Sequence, residues 1–496
     1  MRRAILLAAL GILALAFFAI APKATGGPPL RDFESYYAGG ATARLDGDPY
    51  GREVWRVEKD VPGVVASRDE LLPFVGPPFG LPLWSLLAGL AWPNAVVVWD
   101  AVMALSLATL AFGALALAGG PITLEDAVAV PILVAGFGPL TSGVALGQSA
   151  VLSCAAIVAA LLFLRHRALL GAAAAALVAA LQPNLALVLG ARLGDRRSAI
   201  ALGGAAALVA AGSALELGRG GLGRYLATLA QHAAAERFIA IQTTPGAVAR
   251  ALGASPALAG TLALGLAALA LLLVTLQCAT RRYDPVARVA VASAALPLAL
   301  PFAHEHDFAV AFLPAVLCLR ASSGARWQAA AFATLAAGVD WLGLAQRPSG
   351  VAATALLTLA AALALAVLAR GRLRPFHFAP AATAALVAAA GAWAAAHPLP
   401  TWPDALPPGF HVPATLGAAA TWHLEQAASG IAALDPTWGA LRLVSLLGCA
   451  GLWAVASVAL ARRDLEATAK APARPSRPAP ESEFDPAPER GFGPAS

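Results

Sequence analysis

Between residues 31 and 50 the chain reads Arg31-Asp32-Phe33-Glu34-Ser35-Tyr36-Tyr37, runs through Gly39-Gly40 and closes on Gly47-Asp48-Pro49-Tyr50. Asp32 admits two uses. It can cap a helix that Phe33, Tyr36, Tyr37 and Leu45 would pack and Gly47 would stop, or it can act as a general base toward a hydroxyl held beside it. A second cluster, Leu300-Pro301-Phe302-Ala303-His304-Glu305-His306-Asp307-Phe308, sets ionisable residues in a row between short apolar arms. In an apolar setting such a row is costly unless it lines a watery site; a solvated turn is the other reading. Residues two apart point the same way on an extended turn and diverge by about 200° on a helix, so a turn-to-helix switch here would let only one of His304 and His306 reach a ligand. Glu305 or Asp307 beside an imidazole would keep it cationic closer to neutral pH, which suits a phosphate, with Asp307 orienting the ring. Adjacent residues on a turn rarely complete a metal shell, and no other His, Asp or Glu set has ligand spacing, so no metal is expected.

Smaller signals are Gly76-Pro77-Pro78-Phe79, Gly147-Gln148-Ser149 and Gln182-Pro183-Asn184. Each serves equally as a kink, a turn or an interhelical hydrogen bond. Trp402, His411, Trp422, His423 and Trp438, between His397 and Gly439, suit an interfacial aromatic belt, with sugar stacking the second reading. Cys154, Cys278, Cys318 and Cys449 all fall inside apolar runs without a CxxC pair and read as small buried residues.

The elements that must position these groups are membrane helices. Of 496 residues, 59% are hydrophobic and 12% charged, and the apolar residues come in long runs such as Ala4 to Ile20, Ala95 to Ala118, Pro256 to Leu276 and Val351 to Leu368. A hydrocarbon layer about 30 Å thick takes about 20 helical residues. An open sheet would leave backbone groups unpaired in lipid, and the runs lack the alternation of a barrel. The expectation is an all-α polytopic bundle of about 12–14 membrane segments, with a retained first helix. The net charge of +6 sits in short clusters beside apolar runs and implies no nucleic-acid groove.

Arg2 and Arg3, Arg192 to Arg197, Arg281 and Arg282, Arg320 and Arg326, Arg370 to Arg374, and Arg462 and Arg463 are expected at the cytoplasmic face. This puts outside a first loop over residues 22–78, a loop from Glu216 to Ser255, the His304 to Asp307 tip and a late loop over residues 397–439. Arg165-His166-Arg167 breaks the parity. Either it lies outside, or Ala168 to Leu189 is a broken hairpin turning near Gln182-Pro183, balanced by a short re-entrant piece at Phe79 to Trp92. Residues 464–496, rich in Pro, Ala and charge, are expected to form a disordered cytoplasmic tail.

In order along the chain, Asp32 with its Tyr-rich sequel to Tyr50, Pro77-Pro78, Gly147-Gln148, Gln182-Pro183 and the Pro301 to Asp307 segment resemble glycosyltransferase family 87, membrane enzymes of GT-C fold that include polyprenol-phosphate-mannose-dependent alpha-mannosyltransferases. The chain departs from the family pattern at Gly76, Gln182 and His306. The resemblance implies a transmembrane glycosyltransferase domain over residues 1–463, in the plasma (inner) membrane with the N-terminus cytoplasmic and the site extracytoplasmic. It implies transfer of a hexose, mannose favoured, from a polyprenyl monophosphate carrier to a lipid or glycan acceptor. Asp32 would be the catalytic base; His304 and His306, with Asp307, would hold the donor phosphate. Tyr36, Tyr37, Gln148 and Gln182 would bind substrate, with no cofactor, and Arg31, Arg224 and Arg237 are the next candidates for the phosphate. A transporter or flippase of a lipid-linked or polar solute is the alternative; it would show inverted repeats with matched broken helices, whereas the polar clusters here concentrate in outer loops.

Overall fold

The computed structural model describes residues 30–62, 64, 71–239, 241–281, 283–346, 350–369, 406–413, 415–430 and 434–461. The expected first crossing, the arginines at 370–374 and 462–463, the start of both long outer loops and the tail 464–496 lie outside the described residues.

Every regular element among the described residues is a helix. Short α1 (Arg31–Arg44) and α2 (Val54–Glu58) precede a 3-10 turn at Pro78–Gly80 and α3 (Leu81–Leu87). Then come α4 (Trp92–Ala118), α5 (Leu124–Ala135), α6 (Gly138–Leu146), α7 (Ser149–Arg165), α8 (Leu169–Ala179), α9 (Pro183–Ala186) and a 3-10 segment Leu187–Arg192. The long α10 (Arg196–Glu236), α11 (Pro245–Ala251), α12 (Pro256–Thr280) and α13 (Pro285–Ala299) lead to the 3-10 segment Glu305–Ala311. Finally α14 (Phe312–Ala321), α15 (Gly324–Ala337), α16 (Trp341–Gln346), α17 (Gly350–Leu368), α18 (Ala418–Ser429) and α19 (Pro436–Ala459) follow.

Among the described residues four helices are long and apolar enough to cross a membrane: α4, the Arg196–Gly218 part of α10, α12 and α19. Helices α5 and α6 qualify together as one span bent by 61°. Other apolar runs form shorter helices; α7, for one, has 17 residues, about 25 Å. An apolar run is therefore not always a full crossing. On α12, Leu264, Leu271 and Leu272 are more than half exposed, which only a lipid environment tolerates on one helix face. The chain is thus an all-α polytopic membrane protein.

The parity problem resolves as a broken hairpin. Arg165 donates to the Ala116 carbonyl at the end of α4, and Arg320 reaches the Gly119 and Pro121 carbonyls just beyond, so both mark one end of the bundle. Leu164, Ala172 and Ala201 pack into one cluster, which brings the start of α10 to that same end. At the other end Gln182 hydrogen-bonds Gln148 and Ser149 at the head of α7. From Ala168 the chain therefore runs along α8 to the far end, breaks at Gln182-Pro183, where proline cannot continue the hydrogen-bond ladder, and returns to Arg192. Residues Phe79 to Trp92 stay at the far end: Gly80 lies against Leu181 and Trp92 stacks on Phe33.

The presumed loop from Glu216 to Ser255 is mostly helical. Helix α10 continues through Glu236, capped at its start by the Asp195 carboxylate, and α11 follows under a Thr244 cap.

Candidate functional site

Asp32 lies in the first turn of α1, not at its cap. The cap position is Leu30, held in the left-handed region at φ 60°, and its N–H donates to the Ala145 carbonyl at 3.2 Å. A leucine in that conformation is strained by about 1–2 kcal/mol, and the strain is offset by anchoring α1 on the end of α6. Helix α1 seats against α3 at Gly40, where a Cβ would come within 2.3 Å of the Trp84 backbone carbonyl. Tyr36 stacks on Trp84 with centroids 4.5 Å apart, and Phe33 on Trp99 at 5.0 Å. An apolar aromatic wall thus fixes one side of α1 and leaves Asp32 on the other.

That other side is a cavity of about 440 Å³. Asp32, Tyr36, Gln148, Gln182, His304, His306 and Asp307 all line it, so residues far apart in sequence meet there as expected. Gln148 hydrogen-bonds the Asp32 carboxylate. Its Oε1 in turn accepts from Tyr36 at 2.9 Å and from Gln182 at 3.1 Å. Gly147 makes this possible: at φ 72° it ends α6 in the left-handed region, packed so close to Phe33 that a Cβ would sit 2.7 Å away, and turns Gln148 toward the cavity. Burial raises the Asp32 pKa to about 6, against the lowering effects of the Gln148 hydrogen bond and the charge on His304.

His304 sits at the start of the 3-10 segment, and its Nε2 lies 2.9 Å from Glu236 Oε2. Glu236 is buried and also accepts from Trp422 Nε1 at 2.6 Å and Gln426 Nε2 at 3.0 Å; His232 is 3.6 Å away. Burial works against ionisation of Glu236, but the charges of His232 and His304 and these donors outweigh it and hold its pKa down to about 2. Burial would lower the His304 pKa; the charge and hydrogen bond of Glu236, then the charges of Asp307 and Asp32, outweigh that and raise it. His306 is unlike it. Its ring stacks on His304 at 5.4 Å, and burial together with the charge on His304 pushes its pKa well below the ordinary 6.5.

Several expectations change. Both imidazoles line the cavity, because their rings stack instead of diverging. The acid that binds the His304 ring is Glu236; Asp307 instead accepts the His304 backbone N–H at 3.0 Å and the Asn184 amide at 3.1 Å. Tyr37 does not line the cavity: its hydroxyl donates to the Leu90 carbonyl at 2.9 Å and its ring meets Trp92 edge-on. Arg31 is buried on Glu34 at 2.7 Å, Arg224 is largely exposed beside Asp48, and Arg237 lies over Phe238; none lines the cavity. Trp422 and Trp438 are buried, not arrayed as a belt, and Trp422 supports Glu236.

The residues missed were His232 and Glu236. Tyr225, Leu229, His232 and Glu236 recur at the spacing of one helix face, a signal that the loop reading of this stretch hid. Among the described residues no three or more His, Cys, Asp or Glu are grouped to hold a metal ion.

The fold and cavity define a helical membrane protein with a buried carboxylate and a carboxylate–histidine pair facing one polar chamber. The family model of Glycosyltransferase family 87 matches residues 74–301, taking in Gln148, Gln182, His232 and Glu236 and ending just before His304, with Asp32 ahead of it. Over that stretch, just under half of its length, the chain is similar to the glycosyltransferases of family 87. No curated protein and no solved structure matches it.

Proposed function

We propose that the chain transfers a hexose, with mannose favoured, from a polyprenyl monophosphate carrier to a hydroxyl of a lipid or glycan acceptor at the extracytoplasmic face of the plasma membrane. The observation that supports this reading best is Asp32: a carboxylate oriented by Gln148, facing a chamber of sugar size, with a pKa near 6 that makes it both ionised and basic at neutral pH. The acceptor oxygen attacks the anomeric carbon as the bond to the phosphate oxygen breaks. The hydroxyl proton passes to Asp32, and the electron pair of the broken bond goes to the leaving phosphate. His304, kept protonated by Glu236, donates toward that growing charge. One in-line displacement inverts the anomeric centre. Tyr36 and Gln182 act through Gln148, holding its amide toward Asp32.

The test uses purified protein in lipid vesicles with a polyprenyl-phosphate sugar and neither ATP nor an ion gradient. Transfer is expected, and Asp32→Asn should reduce it by at least ~100-fold with unchanged thermal unfolding. An active Asn variant removes Asp32 as base; efficient transfer from a nucleotide sugar without lipid carrier removes the donor assignment.

A further inference from the structure

A guanidinium inside an apolar span needs an anion or carbonyls around it, because leaving it unpaired there costs several kcal/mol. Three other arginines meet the requirement. Arg320 takes the Asp126 carboxylate and two carbonyls, Arg192 takes Asp195 and Ser198, and Arg281 takes the Ser457 carbonyl. Arg442, in the second turn of α19, is 5% exposed and has no hydrogen-bond or ion-pair partner among the described residues; its Nε is fully enclosed. The carboxylates that act on it electrostatically, Glu305 and Asp435, are committed elsewhere. Glu305 accepts from Ser142 and the Leu342 amide, and Asp435 caps α19 through the Thr437 and Trp438 amides.

Arg442 is also the only arginine or lysine among the described residues lining the main cavity. The pocket on its other side, about 10 Å³, has room for no more than a water. An anion that satisfies this guanidinium must therefore come from the main cavity.

We propose that Arg442 binds the phosphate of the lipid-linked donor, an assignment that rests on the polyprenyl-phosphate reading above. A glycosyl phosphodiester carries one negative charge. When the bond to the sugar breaks, the electron pair adds a second charge to the phosphate oxygens, and a guanidinium fork binds that product more strongly than the starting diester. His304 donates from the α10 side and Arg442 from α19, so the charge developing on the leaving group is received from two elements.

The experiment measures binding of a polyprenyl monophosphate, the matching polyprenol and inorganic phosphate to full-length protein in lipid nanodiscs, by the emission of the cavity tryptophans and by thermal unfolding. The parent should bind the lipid phosphate at least ~10-fold more tightly than the alcohol, with inorganic phosphate a weak competitor. Arg442→Gln and Arg442→Met should remove most of that preference while leaving polyprenol binding unchanged, and Arg442→Lys should keep more of it. Asp32→Asn should keep it fully. Because Arg442 has no partner among the described residues, Arg442→Met should unfold no lower than the parent without ligand. If Arg442→Met keeps the phosphate preference, the assignment to Arg442 falls and the donor reading stands. If the parent itself shows no preference, both fall. If inorganic phosphate competes as well as the lipid, the site takes a free anion and the lipid assignment falls.

Discussion

At the scale of single residues, Asp32 and His304 both titrate above their ordinary values, Asp32 because it is buried and His304 because acids surround it. Burial lifts the Asp32 pKa to about 6, so the basic form required for transfer is lost as pH falls through that value. His304 has its pKa raised above 6.5, so its proton is present below that range and lost as pH rises through the shifted value. The expected kcat/KM profile is bell-shaped, with an acid limb near 6 belonging to Asp32 and an alkaline limb belonging to His304. Gln148→Leu removes a hydrogen bond that favours the ionised carboxylate, which should move the acid limb up by about 1 pH unit and leave the alkaline limb in place. A rate independent of pH between 5 and 7 would contradict Asp32 as the titrating base.

At the scale of elements, the site depends on how closely α1 and α3 approach. Gly40 has no room for a Cβ against the Trp84 backbone, and backbone cannot rotate aside as a side chain can. Gly40→Ala should therefore lower stability by about 1–3 kcal/mol and reduce activity, since displacing α1 carries Asp32 with it. Gly223, on the polar half of α10, has nothing within 4 Å of a built Cβ. There the same substitution should raise stability by roughly 0.5–1 kcal/mol through helix propensity. Thermal unfolding in detergent distinguishes the two; equal shifts would mean that the α1–α3 contact carries no constraint. The helical periodicity of Tyr225 to Glu236 was legible in the sequence, but glycines in α10 concealed it. The Gly40 contact was not, since glycine in a sequence marks a close approach without naming the partner.

At the scale of the whole molecule, the broken hairpin at Gln182-Pro183 assigns both basic clusters, Arg165 to Arg167 and Arg192 to Arg197, to one end and the cavity to the other. In a Cys278→Ser background, cysteines at His166 and Arg196 should label with an impermeant maleimide only after permeabilisation. A cysteine at Leu45, 75% exposed near the cavity end, should label in intact cells. Labelling of His166 and Arg196 variants from opposite faces would refute the hairpin.

Composition and run length alone determined that this chain is a helical membrane protein, because only a helix satisfies its own backbone in lipid. The resemblance to glycosyltransferase family 87 implied that Asp32, Gln148, Gln182 and His304 to Asp307 belong together, and all of them line one cavity. What only the tertiary structure decided are the partners. Glu236 reaches His304 from α10 and is itself held by Trp422 and Gln426 of α18, Tyr37 turns away to Leu90, and Arg442 is left facing the cavity on α19. Such pairings depend on which helix faces meet across the bundle, and no local residue pattern encodes a contact between segments far apart in the chain.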